Sequence, residues 1–225
     1  MLRSSSGRLD ANVILVSSSR DLLLKMLARQ SFRLGEFKLS SGGTSDYYID
    51  CRTTTLDAEG ARLTGHVFLD LIQGKNWKPR AIGGLTMGAD PIVVAVAQLT
   101  AQIAQTQAPA GPKVSKVSDA RDSLIHGFLV RKQEKAHGTG QRIEGFRQKG
   151  ARVVIVDDVC TTGSSTIQAI EAAREFGFVI AGVACLVERE EAGGRPAVEK
   201  AAGDAEFVSI FRSADVRAAH LAEKG

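Results

Sequence analysis

Arg152-Val-Val-Ile-Val-Asp-Asp-Val-Cys-Thr-Thr-Gly-Ser-Ser165 is the stretch on which the fold turns. Val153–Val156 are four consecutive β-branched apolar residues, the pattern of a strand buried on both faces in a parallel sheet. Asp157 and Asp158 are expected to end that strand. Ile167, Ile170, Ala173 and Phe176 then put one apolar face on a helix that stops at Gly177. Such a strand brings the chain to the carboxyl edge of the sheet, where ligands bind in open α/β folds. Small residues and Gly163 let backbone N–H groups point outward at the start of the helix. Those donors and the helix dipole favour an anion. Thr161, Thr162, Ser164 and Ser165 add hydroxyls. The segment shares this physics with a P-loop but lacks the Gly-Lys-Ser/Thr ending, so it makes a poor nucleoside triphosphatase. Two aspartates beside an anion site repel the anion. They make chemical sense as acceptors for sugar hydroxyls, or next to a metal or a developing positive charge. The bland alternative is that they cap the turn and the helix start.

Outward from this segment, strand and helix alternate. Downstream, a buried strand is expected at Phe178–Val187, then a helix near Pro196–Ala202 and a strand Glu206–Phe211 that finishes the fold. Upstream, Ala81–Gly83 reads as a short buried strand and Gly84–Pro91 as a turn-rich loop. Pro91 suits the first turn of the next helix, which runs to about Gln105. Residues 106–122 carry two of the five prolines and read as a surface connector, Leu124–Val130 as a strand, and 131–150 as a long loop. Nearer the start, a helix begins about Ser19 with Asp21 in its first turn, and Gly35 ends it. Short strands follow at Phe37–Leu39 and Asp46–Asp50, around a Ser/Gly-rich turn. Asp57 caps a helix reaching about Gln73. The alternation implies an α/β domain, a central mainly parallel sheet flanked by helices. Residues 1–18 are expected to be a mobile leader and 19–225 a single domain.

Composition narrows the function classes. With 225 residues, 44% hydrophobic and 24% charged, the chain has room for a core and too much apolar content for wholesale disorder. The longest apolar runs fall short of the ~20 residues of a membrane span, so no membrane partner is expected. Met1–Asp10 has no apolar stretch of the secretory kind. Cys51, Cys160 and Cys185 form no Cys-x-x-Cys pair and fit a reducing, cytoplasmic setting. Of the net charge of +4, most sits between residues 131 and 147, where Arg131, Lys132, Lys135, Arg142 and Arg147 oppose only Glu134 and Glu144. A nucleic-acid face would spread further, so no nucleic-acid partner is expected. A local cluster suits a small, highly charged anion. His66, His126 and His220 lack metal-ligand spacing.

The quoted segment closely resembles the motif by which type I phosphoribosyltransferases bind phosphoribosyl pyrophosphate (PRPP). Three more segments resemble the orotate phosphoribosyltransferases among them. They are Gly35-Glu-Phe-Lys-Leu-Ser-Ser-Gly42 with Ser45-Asp-Tyr-Tyr-Ile-Asp-Cys-Arg52; Gly83-Gly-Leu-Thr-Met-Gly-Ala-Asp-Pro91; and Arg131-Lys-Gln-Glu-Lys-Ala-His-Gly138 with Ile143-Glu-Gly145. The resemblance covers nearly all of the chain after residue 20. It implies the type I phosphoribosyltransferase fold with a small hood, mainly 19–55 plus C-terminal elements, and a mobile catalytic loop at 131–147. It implies transfer of a phosphoribosyl group from PRPP to orotate, giving orotidine 5-monophosphate and pyrophosphate, in the making of UMP. It also implies a homodimer whose loop reaches the neighbouring subunit's site.

By the same resemblance PRPP is held by Arg131, Lys132, Lys135, His137 and the run Asp157, Asp158, Val159, Cys160, Thr161, Thr162, Gly163, Ser164 and Ser165. The ribose hydroxyls lie on the acid pair. Orotate lies against Tyr48, Ile49 and Thr161, with its carboxylate on Arg189. Lys132, Lys135, His137, Asp157 and Asp158 are the catalytic set. Mg²⁺ is the cofactor, bound mainly through PRPP with no direct protein ligand, as its liking for phosphate oxygens allows. Alternate strand residues face opposite ways, so only one of Tyr47 and Tyr48 is expected in the pocket.

Two departures from the family pattern stand out. Many members carry lysine where this chain has Ser40; Lys38 lies two residues earlier on the same strand face. Many carry Tyr-Lys-Gly where this chain has Met87-Gly-Ala-Asp90, which leaves backbone donors of Thr86–Gly88 to serve the pyrophosphate. A purine or uracil salvage enzyme would share the phosphate loop but not Arg-Lys-x-x-Lys-x-His-Gly. A metabolite-sensing regulator would need an added nucleic-acid domain, for which residues 1–20 are too short.

Overall fold

The computed structural model describes residues 18–38, 43–107, 124–132 and 142–224. The expected leader up to residue 17, Ser40 with its neighbours, most of the 106–122 connector, and Lys135 and His137 lie outside the described residues.

Six strands form the main sheet: β3 (Ala81–Leu85), β4 (His126–Val130), β5 (Ile143–Gly145), β6 (Arg152–Cys160), β7 (Val179–Glu188) and β8 (Phe207–Arg212). Their order is β5-β4-β3-β6-β7-β8, all neighbours parallel except β4 and β5. Alternation along β6 divides the core. Val154 and Val156 join the layer with helices α3 (Ala58–Gly74) and α4 (Ala89–Gln107). Val153 and Ile155 join the layer with α5 (Ser164–Phe176) and α6 (Arg195–Ala202). All four valine and isoleucine side chains are fully buried. Asp57 caps α3 as expected, accepting from the N–H groups of Glu59 and Gly60 at 3.0 Å each.

β6 runs past the point where the acid pair was expected to stop it. It stays paired with β7 as far as Cys160↔Glu188, whereas its ladder with β3 ends at Gly83↔Ile155. Asp157 and Asp158 therefore sit inside a strand end that is bonded on one flank and open on the other.

Over the carboxyl edge lies a two-stranded antiparallel sheet, β1 (Phe32–Lys38) and β2 (Thr44–Ile49). Gly35 does not end the first helix. α1 (Ser19–Met26) passes through a π-turn at Leu27–Ser31 straight into β1, and Gly35 lies within that strand at a register shift. The pull is tertiary: Phe32 is buried and stacks on Tyr47 at 5.1 Å. β5 breaks the long loop expected at 131–150, and at three residues it is too short to leave a periodic signal. α7 (Ser213–Ala222) follows β8 without a connector, so the fold does not finish at Phe211. Its large apolar residues are only Val216 and Leu221, too few for a clear stripe. It docks through His220, whose Nδ1 meets the Ala28 carbonyl oxygen at 2.7 Å. Among the described residues no helix is long and apolar enough to cross a membrane.

Candidate active site

A cleft of about 530 Å³ opens between the carboxyl edge of the sheet and the small two-stranded sheet. Asp157, Asp158 and Val159 form its floor, and Thr161, Thr162 and Ser165 one wall. Gly163, at φ +79°, turns the chain into α5, so the Thr161–Gly163 loop meets the positive end of a helix dipole, where an anion is favoured. Tyr48, Ile49 and Arg189 close the side toward β1 and β2, and Lys132 enters from the end of β4. A cavity of similar size, about 510 Å³, lies at the opposite edge of the sheet among Leu69, Ile72 and Thr100. It holds no carboxylate, so the chemistry belongs to the first.

The acid pair is built asymmetrically. Asp157 is 4% exposed; its Oδ2 accepts from Thr166 Oγ1 at 2.8 Å and its Oδ1 from the Asp158 N–H at 3.1 Å. Burial, and then the adjacent Asp158 charge, push its pKa from the ordinary 3.8 up to about 7. Asp158 is partly open to the cleft and accepts from the Val159 N–H at 2.9 Å. Burial raises it too, against the pull of that N–H and of Arg52. Folded Asp157 thus holds a proton where the unfolded carboxyl has lost it. Its contribution to stability is fully present below about pH 4 and is lost as pH rises toward about 7. A melting series from pH 4.5 to 8 is expected to show this decline, and Asp157→Asn to flatten it. A variant as steep as the wild type would place the titration elsewhere.

The remaining expected residues divide. Arg131, at the end of β4 beside Lys132, pairs its guanidinium with Glu144 at 3.3 Å. Ser164 accepts from Gln168 Nε2 at 3.2 Å on the helix surface. Cys160 is 1% exposed and packs in the core with Cys185, so only its backbone can serve a ligand. Tyr48 is 45% exposed in the cleft, whereas Tyr47 is 6% exposed beneath it, as strand alternation requires. The Thr86 N–H is taken by the Val130 carbonyl at 2.9 Å, which leaves the expected donor role to Met87 and Gly88.

Two further cations line the cleft: Lys38, noted from sequence only as lying near the position of the family's usual lysine, and Arg52, which sequence reasoning did not single out. Asp50 orients Arg52 through two bonds of 2.8 Å, Nε to Oδ1 and Nη2 to Oδ2. The signal was present in the signature ending Asp50-Cys-Arg52. A carboxylate two residues before an arginine shows its purpose only when both stand on a cleft wall. Gly88 brings the β3–α4 loop against the acid pair: a Cβ there would overlap the Asp158 carboxylate.

Residues 53–206 match the model of the phosphoribosyl transferase domain. The orotate phosphoribosyltransferase of Aquifex aeolicus is 40% identical over 184 residues, covering 80% of this chain and 89% of the relative. That of Streptomyces avermitilis is 40% identical over 184 residues, covering 82% and 90%. The chain belongs to the orotate phosphoribosyltransferase family. Among solved structures, the Mycobacterium tuberculosis orotate phosphoribosyltransferase in complex with PRPP superposes with a TM-score of 0.63 at 31% identity, covering 88% of this chain and 98% of that one. The mainly parallel sheet with its small antiparallel pair is the type I phosphoribosyltransferase fold, and the family resemblance read from four motifs holds over most of the chain.

Proposed function

We propose that this chain transfers the 5-phosphoribosyl group of PRPP to orotate, giving orotidine 5-monophosphate and pyrophosphate in pyrimidine biosynthesis. One observation carries the reading. A single cleft joins an anion-binding loop and a carboxylate pair to a buried arginine on the opposite wall. The 5-phosphate takes the donors of Thr161–Ser165, and the ribose hydroxyls lie on Asp157 and Asp158. The diphosphate then extends toward Met87, Gly88, Arg52 and Lys132. The flat base lies by Tyr48, Ile49 and Thr161 with its carboxylate on Arg189, whose guanidinium binds carboxylates bidentately.

As the bond from the anomeric carbon to the diphosphate breaks, the sugar becomes oxocarbenium-like and the leaving group gathers negative charge. Fixed cations aimed at that group lower the barrier. Arg52 and Lys132 act from the cleft wall. Lys135 and His137 act from the segment that joins β4 to β5, and His137 offers a proton near neutral pH. The Asp158 carboxylate, joined by Asp157 above about pH 7 where it too is ionised, offsets the positive charge growing on the sugar.

Among the described residues no three His, Cys, Asp or Glu side chains gather into a metal cage. Mg²⁺ suits such a cleft because it takes few carboxylates and several phosphate oxygens. It would be held mainly by PRPP, with Asp158 the carboxylate open to the cleft, and would neutralise the diphosphate. Residues 131–147 serve a partner's site in a homodimer, and 19–225 work as one unit. Three free, buried cysteines suit work in the cytoplasm.

The test is loss of orotate absorbance on mixing the protein with PRPP and Mg²⁺. Turnover with a purine or uracil, but none with orotate, would reject the reading. Arg52→Ala is expected to raise the KM for PRPP roughly tenfold, the scale of one charge-assisted contact. An unchanged KM removes Arg52 from the diphosphate path.

A further inference from the structure

The arginine expected on the substrate carboxylate is itself gripped from behind. Arg189 is 8% exposed at the end of β7. Its Nε donates to the Tyr47 hydroxyl at 2.9 Å and to Glu191 Oε1 at 3.0 Å. Its Nη2 donates to Ser45 Oγ at 3.0 Å, and its guanidinium carbon lies 4.5 Å from the centre of the Tyr47 ring. Among the described residues Nη1 has no protein partner. The Nε edge is thus taken by the protein, which leaves Nη1 and the second Nη2 hydrogen for a carboxylate in the cleft that Arg189 lines.

The grip is anchored at every point. Tyr47 donates its hydroxyl proton to Glu191 Oε1, closing a triangle with Arg189. Burial, and then the Glu191 bond, hold that hydroxyl's pKa above its ordinary value, so it remains a donor. The Tyr47 ring is stacked on Phe32. Glu191 Oε2 accepts from Ser213 Oγ at 3.1 Å, which ties it to α7. Ser45 Oγ donates to the Tyr47 carbonyl at 2.8 Å, which fixes the serine on β2.

We propose that Tyr47 is a positioning residue: with Ser45 and Glu191 it sets the Arg189 guanidinium for a planar carboxylate, and so sets the preference for a carboxylated pyrimidine over the bare ring. This rests on the reading of Arg189 as the carboxylate site. A guanidinium on a long side chain has many rotamers, and fixing it beforehand removes that ordering cost from binding. Uracil has no carboxylate and gains nothing from a fixed arginine. PRPP binds on the far side of the cleft and is indifferent to it.

Tyr47→Phe keeps the ring and its stacking and removes only the hydroxyl. The KM for orotate is expected to rise roughly tenfold, while kcat and the KM for PRPP stay within about twofold. The orotate-over-uracil ratio of kcat/KM narrows by the same factor. Ser45→Ala, on the other side of the guanidinium, is expected to act in the same direction at about a third of the size. In an Arg189→Ala background Tyr47→Phe has no further effect on orotate, because the hydroxyl acts through the arginine. An orotate KM unmoved by Arg189→Ala would overturn the carboxylate reading itself. An orotate KM raised by Arg189→Ala but not by Tyr47→Phe would overturn the positioning role alone. Equal rises in both substrates' KM, with a lowered melting temperature, would reduce Tyr47 to a packing residue.

Discussion

Gly163→Ala is expected to cut kcat/KM for PRPP by at least about a hundredfold and to lower the melting temperature by about 5–15 °C. Gly163 sits at φ +79° at the head of α5, a left-handed conformation that costs an ordinary residue roughly 1–2 kcal/mol. An added Cβ would also press into Val198 Cγ2 on α6, with the Gly194 carbonyl oxygen 3.3 Å away. Overpacking of this kind costs about 1–3 kcal/mol more. Relief of either strain moves the loop. In the proposed site the N–H groups of residues 163–165 hold the 5-phosphate, and the loss of one aimed donor alone is worth about a hundredfold or more in rate. The two causes separate experimentally. Adding Val198→Ala removes the clash and leaves the backbone strain, so the double variant should regain part of the melting temperature and little of the activity. A double variant restored in both would mean that packing alone makes Gly163 necessary.

Lys135→Ala is expected to lower kcat by about a hundred- to a thousandfold, with no change in melting temperature. The residue belongs to the basic run between β4 and β5, and Lys132 of the same run stands on the cleft wall. A cation that meets the departing diphosphate acts on the transition state more than on the bound substrate. Its loss therefore appears in kcat ahead of KM. Reverse-direction kinetics sharpen the test, since pyrophosphate as substrate should show the same loss in kcat. Wild-type turnover in both directions would detach this run from the chemistry.

The elements legible in the sequence were those with a local cause. Val153–Val156 announced a central strand by β-branched density, Asp57 announced α3 by its capping oxygen, and Gly177 closed α5 in the left-handed conformation that glycine tolerates. What escaped was decided by partners far along the chain. β6 continues through Asp157 and Asp158 because β7 supplies hydrogen bonds on one flank, and no residue in 152–160 records that. β1 begins at Phe32 because that ring finds Tyr47 and His220, both remote in sequence. β5 and α7 were missed because one is short and the other carries few large apolar residues. In the site, the phosphate loop and the acid pair were readable because backbone donors, hydroxyls and carboxylates fall within nine residues. Arg52 on the cleft wall and the hold of Tyr47 and Glu191 on Arg189 show only once the segments at 45–52 and 189–191, some 140 residues apart, are brought together.

The half-bonded end of β6 reaches beyond the acids it carries. After Ile155 the strand parts from β3 while remaining laced to β7. The two strands then lead away in opposite directions, β3 through α4 to the β4 flank and β6 through α5 to the β7 flank. A crevice at this parting belongs to the lattice of the sheet, whatever base is later laid in it. In the proposed reading, sugar and phosphate are handled by the frame, and the nucleobase is chosen by the canopy of β1, β2 and the turn after β7. Such a division lets descent alter the second without disturbing the first.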